Sequence, residues 1–461
     1  MRRVPRRILF VSTVTPDPNG RGIDRRAAQH LEALSRIGVI DLVLPDSEPD
    51  AHRAGVLNPS ARLNRIIIRP SVTVGTIRLQ RCQSRRTRLA RLLSTITLLP
   101  HLEHRARPAD ARYFADQFSG EGYCLAFAFR LPSATWLESL GPFAQSLPTI
   151  VDFDDVESLA YARRLDLVPS PMSLWRWRER AFCHRLARLE RGMLKRWTAV
   201  LVCSSFDQAR LVSGARAVVH IVPNTVTVMP SPLSPSQRDG FNVLFVGTLD
   251  YEPNAFGLLW FLKDGWQRVR VACPEARLNV VGRNPPSAIR DHDGRAGIVV
   301  HGRVEDLTPF YTDAHVAIAP ILSGGGTRLK ILETFAHARA VVATTVGCEG
   351  IPAAPGHHLV VADTTADFAR ALIDLAHDAH QRNALGMNGF TLVKEHFERT
   401  TVEANFAAWV ELLLDGYLRT ARGSAQGSLG EPSASTEGRR QDVPYTSVDG
   451  SPRAQQRRAG G

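Results

Sequence analysis

Short apolar runs recur along this chain, and many end in glycine or a small polar residue. Between them lie segments whose apolar residues repeat every three or four positions. The opening stretch, RRILFVSTVTPDPNGRGIDRRAAQHLEALSRIGVIDLVLP, sets the pattern. Ile8–Val11 reads as a strand, Ala27, Leu31 and Leu34 mark a helix face, and Val39–Leu44 reads as a second strand. Two strands joined through a helix run parallel, so a parallel sheet with helices on both faces is expected. Further strand-like runs fall at Leu125–Phe129, Thr149–Phe153, TAVLVCSS and HIVPNTV. Residues 173–197 read as a long helix, and 75–118 as a basic helical region rich in Arg81, Arg85, Arg86, Arg88 and Arg91. MPSPLSPSQRDG, at 229–240, has a linker's composition. After it the pattern restarts with FNVLFVGTL, ARLNVVGR, GIVVHGRV, HVAIAPIL, AVVATTV and LVVAD, interleaved with helical segments. The expected organisation is an N-terminal α/β domain over 1–228, the linker, and a second α/β domain over 241–400. A C-terminal helix over 401–420 and an apolar-poor, disordered tail over 421–461 follow.

A chain of 461 residues has room for two ordinary cores. Its 44% hydrophobic and 22% charged content is that of a globular protein. No run of about 18 apolar residues suggests a transmembrane helix. The start, MRRVPRRILFVSTV, is basic and then apolar, but the apolar run is too short for a signal peptide, so a cytoplasmic location is expected. The six cysteines, at 82, 124, 183, 203, 273 and 348, form no CxxC pair and read as reduced structural thiols. The net charge of +12 suits phosphorylated substrates or anionic lipid. No aromatic-basic motif supports nucleic-acid binding.

The most informative stretch is SGGGTRLKILE, at 323–333. It joins a strand to a helix expected to begin near Thr327. In open parallel sheets, ligands bind beyond the carboxyl ends of the strands. Glycines let a ligand approach the backbone, and a helix start offers free N–H groups and partial positive charge. Arg328 and Lys330 add full charges, which oppose the helix dipole unless an anion is bound. Glu333 lies roughly 9 Å along the axis, and a carboxylate there can accept from two vicinal hydroxyls. The corner therefore suits a nucleoside diphosphate, with phosphate at Ser323, Gly324, Gly325, Gly326 and Thr327 and ribose at Glu333. Gly247 in FVGTLDYEPN, and Gly282 with Arg283 in VVGRN, provide two more glycine-bearing strand ends that would converge on the same edge.

From FVGTLDYEPN through NVVGR and HGRVEDLTPFYTDAHVAIAPILSGGGTRLKILETFA to VVATTVGCEGI, the chain resembles the C-terminal domain of glycosyltransferase family 4, nearest to bacterial enzymes of exopolysaccharide biosynthesis. The N-terminal half is similar more loosely, through ILFVSTVTPDPNGRG and LVCSSFDQARL with IVPNTV. The resemblance implies a GT-B fold, two Rossmann-like doubly wound domains facing a cleft. It implies retaining transfer of a hexosyl group from a nucleotide-sugar donor to a glycan or lipid-linked acceptor, with no cofactor and no bound metal. Glu333 falls at the family's ribose-binding glutamate. Arg328 and Lys330 fall beside the diphosphate, and Gly324–Gly326 under the donor sugar. Val304 falls near the nucleobase, and Gly20 and Gly22 on the N-terminal loop that approaches the donor phosphates and acceptor.

Two positions depart from the family pattern. The first of its two glutamates is replaced by Gly325. The Arg and Lys that usually follow the first strand of the second domain are absent, and Thr248 and Asn254 stand near there. Charge neutralisation is then expected from Arg328 and Lys330, with Arg283. Asp152-Phe153-Asp154, in IVDFDDVES, matches the weak DxD metal pattern. At a strand-to-helix junction it reads better as acidic residues favouring the helix start, leaving Asp154, Asp155 or Glu157 as candidates for an acceptor hydroxyl. Helix 175–197, with Trp175, Trp177, Phe182, Leu186, Leu189, Met193 and Trp197, reads as amphipathic with a solvated basic face; the alternative is docking on anionic lipid. His101 and His104 lack a third ligand and read as surface or structural. Two other readings of the whole remain, a sugar-nucleotide epimerase and a nucleotide-sugar-binding protein without transferase activity.

Overall fold

The parallel sheets expected from the βα alternation are present as two separate sheets in a computed structural model of the chain. The structure describes residues 6–45, 63–69, 108–167, 174–234, 236 and 239–427. Most of the basic region over 75–118, His101, His104, and residues 428–461 of the expected tail lie outside these.

The first sheet has seven strands in the order β3-β2-β1-β4-β5-β6-β7. They are β1 (Arg7–Val11), β2 (Val39–Pro45), β3 (Leu63–Arg69), β4 (Tyr123–Phe129), β5 (Thr149–Asp152), β6 (Ala199–Val202) and β7 (Val218–Ile221). All neighbours pair in parallel. Its helices are α1 (Gly22–Ser35), α2 (Pro108–Ser119), α3 (Arg130–Glu138), α4 (Pro142–Gln145), α5 (Glu157–Leu167), α6 (Leu174–Arg196) and α7 (Ser205–Leu211). The continuous apolar runs follow from burial on both faces. On β1, Leu9 and Val11 enter one core while Ile8 and Phe10 enter the other. On α6, Leu186 and Met193 join the first core, as does Trp197 just past its end, whereas Trp177 is 66% exposed. The expected strand HIVPNTV stops at Ile221, because Val222, Pro223 and Asn224 turn to meet α1.

The second sheet has six strands in the order β10-β9-β8-β11-β12-β13. They are β8 (Phe241–Val246), β9 (Ala276–Val281), β10 (Ile298–Gly302), β11 (Val316–Ala319), β12 (Ala340–Ala343) and β13 (Val360–Val361), also parallel. The order reverses between β8 and β11, so the crevice beyond their carboxyl ends is a topological switch point. The helices are α8 (Glu252–Ala272), α9 (Ser287–Arg290), α10 (Thr308–Asp313), α11 (Leu329–Ala336), α12 (Thr345–Cys348), α13 (Thr365–His377), α14 (Ala379–His396) and α15 (Arg399–Gly427). The linker is tied down at Leu233 and Ser234, whose carbonyls accept from buried Arg339 at 3.4 and 2.8 Å.

Met1–Asp415 form one compact unit and Gly416–Gly461 a second. In the second unit, residues 416–427 complete α15, so the helix extends past the expected end at 420. In the first unit, Val402, Phe406, Val410 and Leu414 repeat every four residues along α15. They pack with Ile8, Phe10, Ala27 and Leu31 beneath the first sheet. Chain that follows the second sheet thus covers the first. No helix among the described residues is long and apolar enough to cross a membrane. Phe406 is 2% exposed, and Phe406→Ala is expected to cost about 3–5 kcal/mol, read as a lowered midpoint in urea unfolding followed by circular dichroism.

Candidate functional site

The glycine corner leaves β11 at the switch point, as its apolar strand and glycine run require. Gly324 and Gly326 take positive φ, +109° and +66°, which only glycine adopts without strain. α11 begins at Leu329, two residues later than expected, because Arg328 is extended and forms its N-cap. The Arg328 guanidinium folds back and donates to the Gly325 carbonyl. Its Nε and Nη2 are buried without a partner. Lys330, half-buried in the first turn, donates to Asn254 Oδ1 at 2.8 Å and lies 4.5 Å from the Phe245 ring centre. Burial first, and Arg328 second, press its pKa down to about 7, with Glu333 opposing.

The other glycine strand ends meet this cluster. A methyl group on Gly247 would fall 2.9 Å from Lys330 Nζ, and one on Gly282 would collide with the Gly247 carbonyl. Gly282 N–H donates to the Gly302 carbonyl at 2.8 Å, and Asn254 Nδ2 to the Thr248 carbonyl at 2.8 Å. Arg283 brings a buried, unpartnered Nε. Ser323 and Thr327 are buried, and Thr327 Oγ1 has no partner. Gly247, Thr248, Asn254, Gly282, Arg283, Gly324–Gly326, Arg328 and Lys330 are therefore gathered around the switch point. Val304 lies further along the edge, packed against a buried cluster of Leu244, Val281, Tyr311, Ala314 and Ala317. Just beyond it is a cavity of about 220 Å³ bordered by Leu307, Thr308, Tyr311, Glu333 and Arg25.

The first domain faces this edge with arginines that the sequence did not single out. Arg25, on α1, pairs with Glu333 across the cleft. Arg163, on α5, makes a bidentate pair with Glu349 at 2.7 and 2.7 Å and donates to the Gly324 carbonyl at 3.1 Å. Gly22 packs against Leu329 at the start of α11, while Gly20 packs within its own loop against Asp17 and Asp24. Asn224 Nδ2 donates to the Thr327 carbonyl at 3.3 Å.

The Asp152-Phe153-Asp154 motif is occupied by cations of the protein itself. Asp152 accepts from Arg26 at 2.7 and 2.8 Å and meets His30 Nε2 at 2.8 Å, all fully buried. Burial alone would raise its pKa; Arg26 and then His30 hold it well below the usual carboxylate range. Asp154 lies 3.6 Å from Arg26 and 4.0 Å from Arg130. Asp155 and Tyr251 also reach the glycine corner. A legible signal for Arg26 and His30 was their i, i+4 spacing beside the apolar stripe of α1, which places two basic groups on a buried face.

Residues 240–378 match the family model described as glycosyl transferases group 1. An uncharacterized 44.6 kDa protein in the cps region of Klebsiella pneumoniae is 29% identical over 212 residues, covering 43% of this chain and 55% of that protein. The chain thus spans about half the length of that curated relative. Sucrose-phosphate synthase from Thermosynechococcus elongatus superposes over 89% of this chain and 100% of its own, with TM-score 0.65 at 17% identity. Anabaena HepE in complex with UDP-glucose superposes over 88% and 99%, with TM-score 0.57 at 12% identity. The fold is GT-B. The match to glycosyl transferases is carried by residues 240–378, and the likeness to the solved structures is one of fold.

Removing one partner of a buried ion pair costs about 3–5 kcal/mol. Asp152→Ala is expected to lose that much in urea unfolding, and added Mg²⁺ or Mn²⁺ should not restore it. Lys330 makes a second, pH-dependent prediction. The unfolded chain titrates this lysine near 10.5 and the folded protein near 7. Between these values the unfolded state binds more protons, so the contribution of Lys330 to stability improves as pH rises. The melting temperature of the ligand-free protein relative to Lys330→Met should climb from pH 7 to pH 10; a flat difference would contradict the assignment.

Proposed function

We propose that the chain is a family-4-like, retaining hexosyltransferase that moves a sugar from a nucleoside-diphosphate donor to a glycan or lipid-linked acceptor without a bound metal. One observation carries this reading. Arg328 holds two buried guanidinium nitrogens without partners, beside Lys330, at the switch point of the second sheet, and Arg283, just past the neighbouring strand end, adds a third. Buried unsatisfied cationic donors cost stability, and a diphosphate would satisfy them together. The complex of HepE with UDP-glucose supports a nucleotide-sugar ligand, and the relative in a cps region supports a role in exopolysaccharide synthesis.

In this reading the diphosphate lies over Gly324–Thr327 and against Arg328 and Lys330, near Gly247, Thr248, Asn254 and Arg283. Negative charge grows on the leaving phosphate as the glycosidic bond breaks. Cations already in place stabilise that charge more in the transition state than in the ground state. The cavity beyond Val304 takes the base, recognised by backbone groups, and Glu333 at its rim takes the ribose hydroxyls. Arg25 neutralises and orients the Glu333 carboxylate. The acceptor enters from the side of Gly20, Gly22 and Asp154. The protein works in the cytoplasm, with its basic surface resting on the inner face of the membrane.

Melting temperature with UDP, GDP, ADP and dTDP, each with and without EDTA, tests the donor site. One nucleotide at 100-fold over its Kd should add about 2.7 kcal/mol of stability, unaffected by the chelator and removed by Arg328→Ala or Glu333→Ala. No shift with any of the four would overturn the reading. Conversion of the donor sugar to its epimer without an acceptor would favour an epimerase; donor binding with no turnover would favour a binding protein.

A further inference from the structure

Three acidic side chains follow β5, and two are engaged within their own domain. Asp154 lies between Arg26 and Arg130. Glu157 accepts from Arg130 Nη2 at 2.6 Å. Asp155 is different. Its Oδ1 is buried without a partner, and it crosses the cleft to lie over the glycine corner. A methyl group on Gly325 would fall 2.8 Å from Asp155 Oδ1 and 3.1 Å from its Cγ, and one on Gly326 would collide with it. The bare backbone at 325 and 326 is what makes room for this carboxylate. Burial and the neighbouring Asp154 push its pKa up to about 7, while Arg328 and Arg130 pull the other way.

The corner beneath Asp155 is the proposed phosphate site, and a carboxylate there repels phosphate. The part of a donor it can hold is therefore a neutral hydrogen-bond donor just beyond the phosphates, which in a nucleotide sugar is the sugar itself. We propose that Asp155 accepts a hydrogen bond from a hydroxyl of the transferred sugar and so selects the donor sugar from across the cleft. This rests on the donor-site reading and extends it. Arg163, which donates to the Gly324 carbonyl from the same domain, holds the corner against the surface that carries Asp155. Sugar recognition is thereby available only when the two domains are apposed.

The test compares wild type, Asp155→Asn and Gly325→Ala by calorimetric titration. The probes are UDP, GDP, ADP and dTDP, and the glucose, galactose and mannose conjugates of whichever nucleotide binds. At pH 8.5, where Asp155 is ionised, wild type should bind one conjugate about tenfold or more tighter than the bare nucleotide, the worth of a hydrogen bond to a charged group. Asp155→Asn should keep the bare-nucleotide Kd within about threefold and lose the tenfold preference. Its ligand-free melting temperature should not fall, because Oδ1 accepts no hydrogen bond and burial and Asp154 outweigh Arg328 and Arg130 in disfavouring its charge. Gly325→Ala, whose methyl group displaces Asp155, should lose the same preference, and the double variant should lose no more. Equal weakening of nucleotide and conjugate would make Asp155 a structural group and overturn the proposal, as would no change in either. Wild type that binds a nucleotide but none of its conjugates more tightly overturns the sugar contact and leaves the donor site standing. Wild type that binds no nucleotide removes both.

Discussion

The Arg26–Asp152 pair is the interaction on which the cleft depends. Asp152 ends β5 and Arg26 projects from α1, so the pair locks a helix to the carboxyl edge of the first sheet. The same guanidinium reaches the Val222 carbonyl at 2.9 Å and Asn224 Oδ1 at 3.0 Å. Asn224 in turn donates to the Thr327 carbonyl in the other domain. A charge buried this deeply is tolerated only when its hydrogen-bonding capacity is filled. Here filling it joins α1, β5, the turn after β7 and the glycine corner into one rigid chain of contacts.

That rigidity sets the electrostatics of the site. The second domain brings cations to the switch point, and the first supplies the facing charges, Arg25 against Glu333 and Arg163 against Glu349. Within the corner, Lys330 is desolvated by burial and held close to Arg328, and its depressed pKa records the cost. Such preorganised charge is what a reaction with a phosphate leaving group requires. It also separates folding from function. The Arg26–Asp152 pair is satisfied and stabilises the fold, whereas Arg328 Nε and Nη2 and Arg283 Nε are unsatisfied.

Much of the architecture was legible from periodicity. Runs such as Ile8–Val11 and Val243–Phe245 are apolar at successive positions because both faces of a parallel sheet are covered, and the sequence between them repeats at helical spacing. The glycine corner was legible too, since Gly324 and Gly326 occupy backbone conformations that other residues avoid. Element ends were less so. HIVPNTV reads as a strand, but its second half leaves the sheet to bond Arg26 and Gln29. β3, at the sheet edge, escaped notice because a single polar-flanked run, LNRIIIR, resembles many loops.

The sequence by itself therefore determined the two βα halves and the glycine corner between β11 and α11. Those features are local: each is written within a few residues through side-chain period, glycine or proline. Tertiary structure alone decided which charges face one another. Arg25 and Glu333 are 308 residues apart, and no local pattern records their meeting. The same holds for Asp155, whose neighbour Asp154 differs from it in no sequence property. The fold of the first domain turns Asp154 towards Arg26 and Arg130, and the second domain facing it brings glycine beneath Asp155.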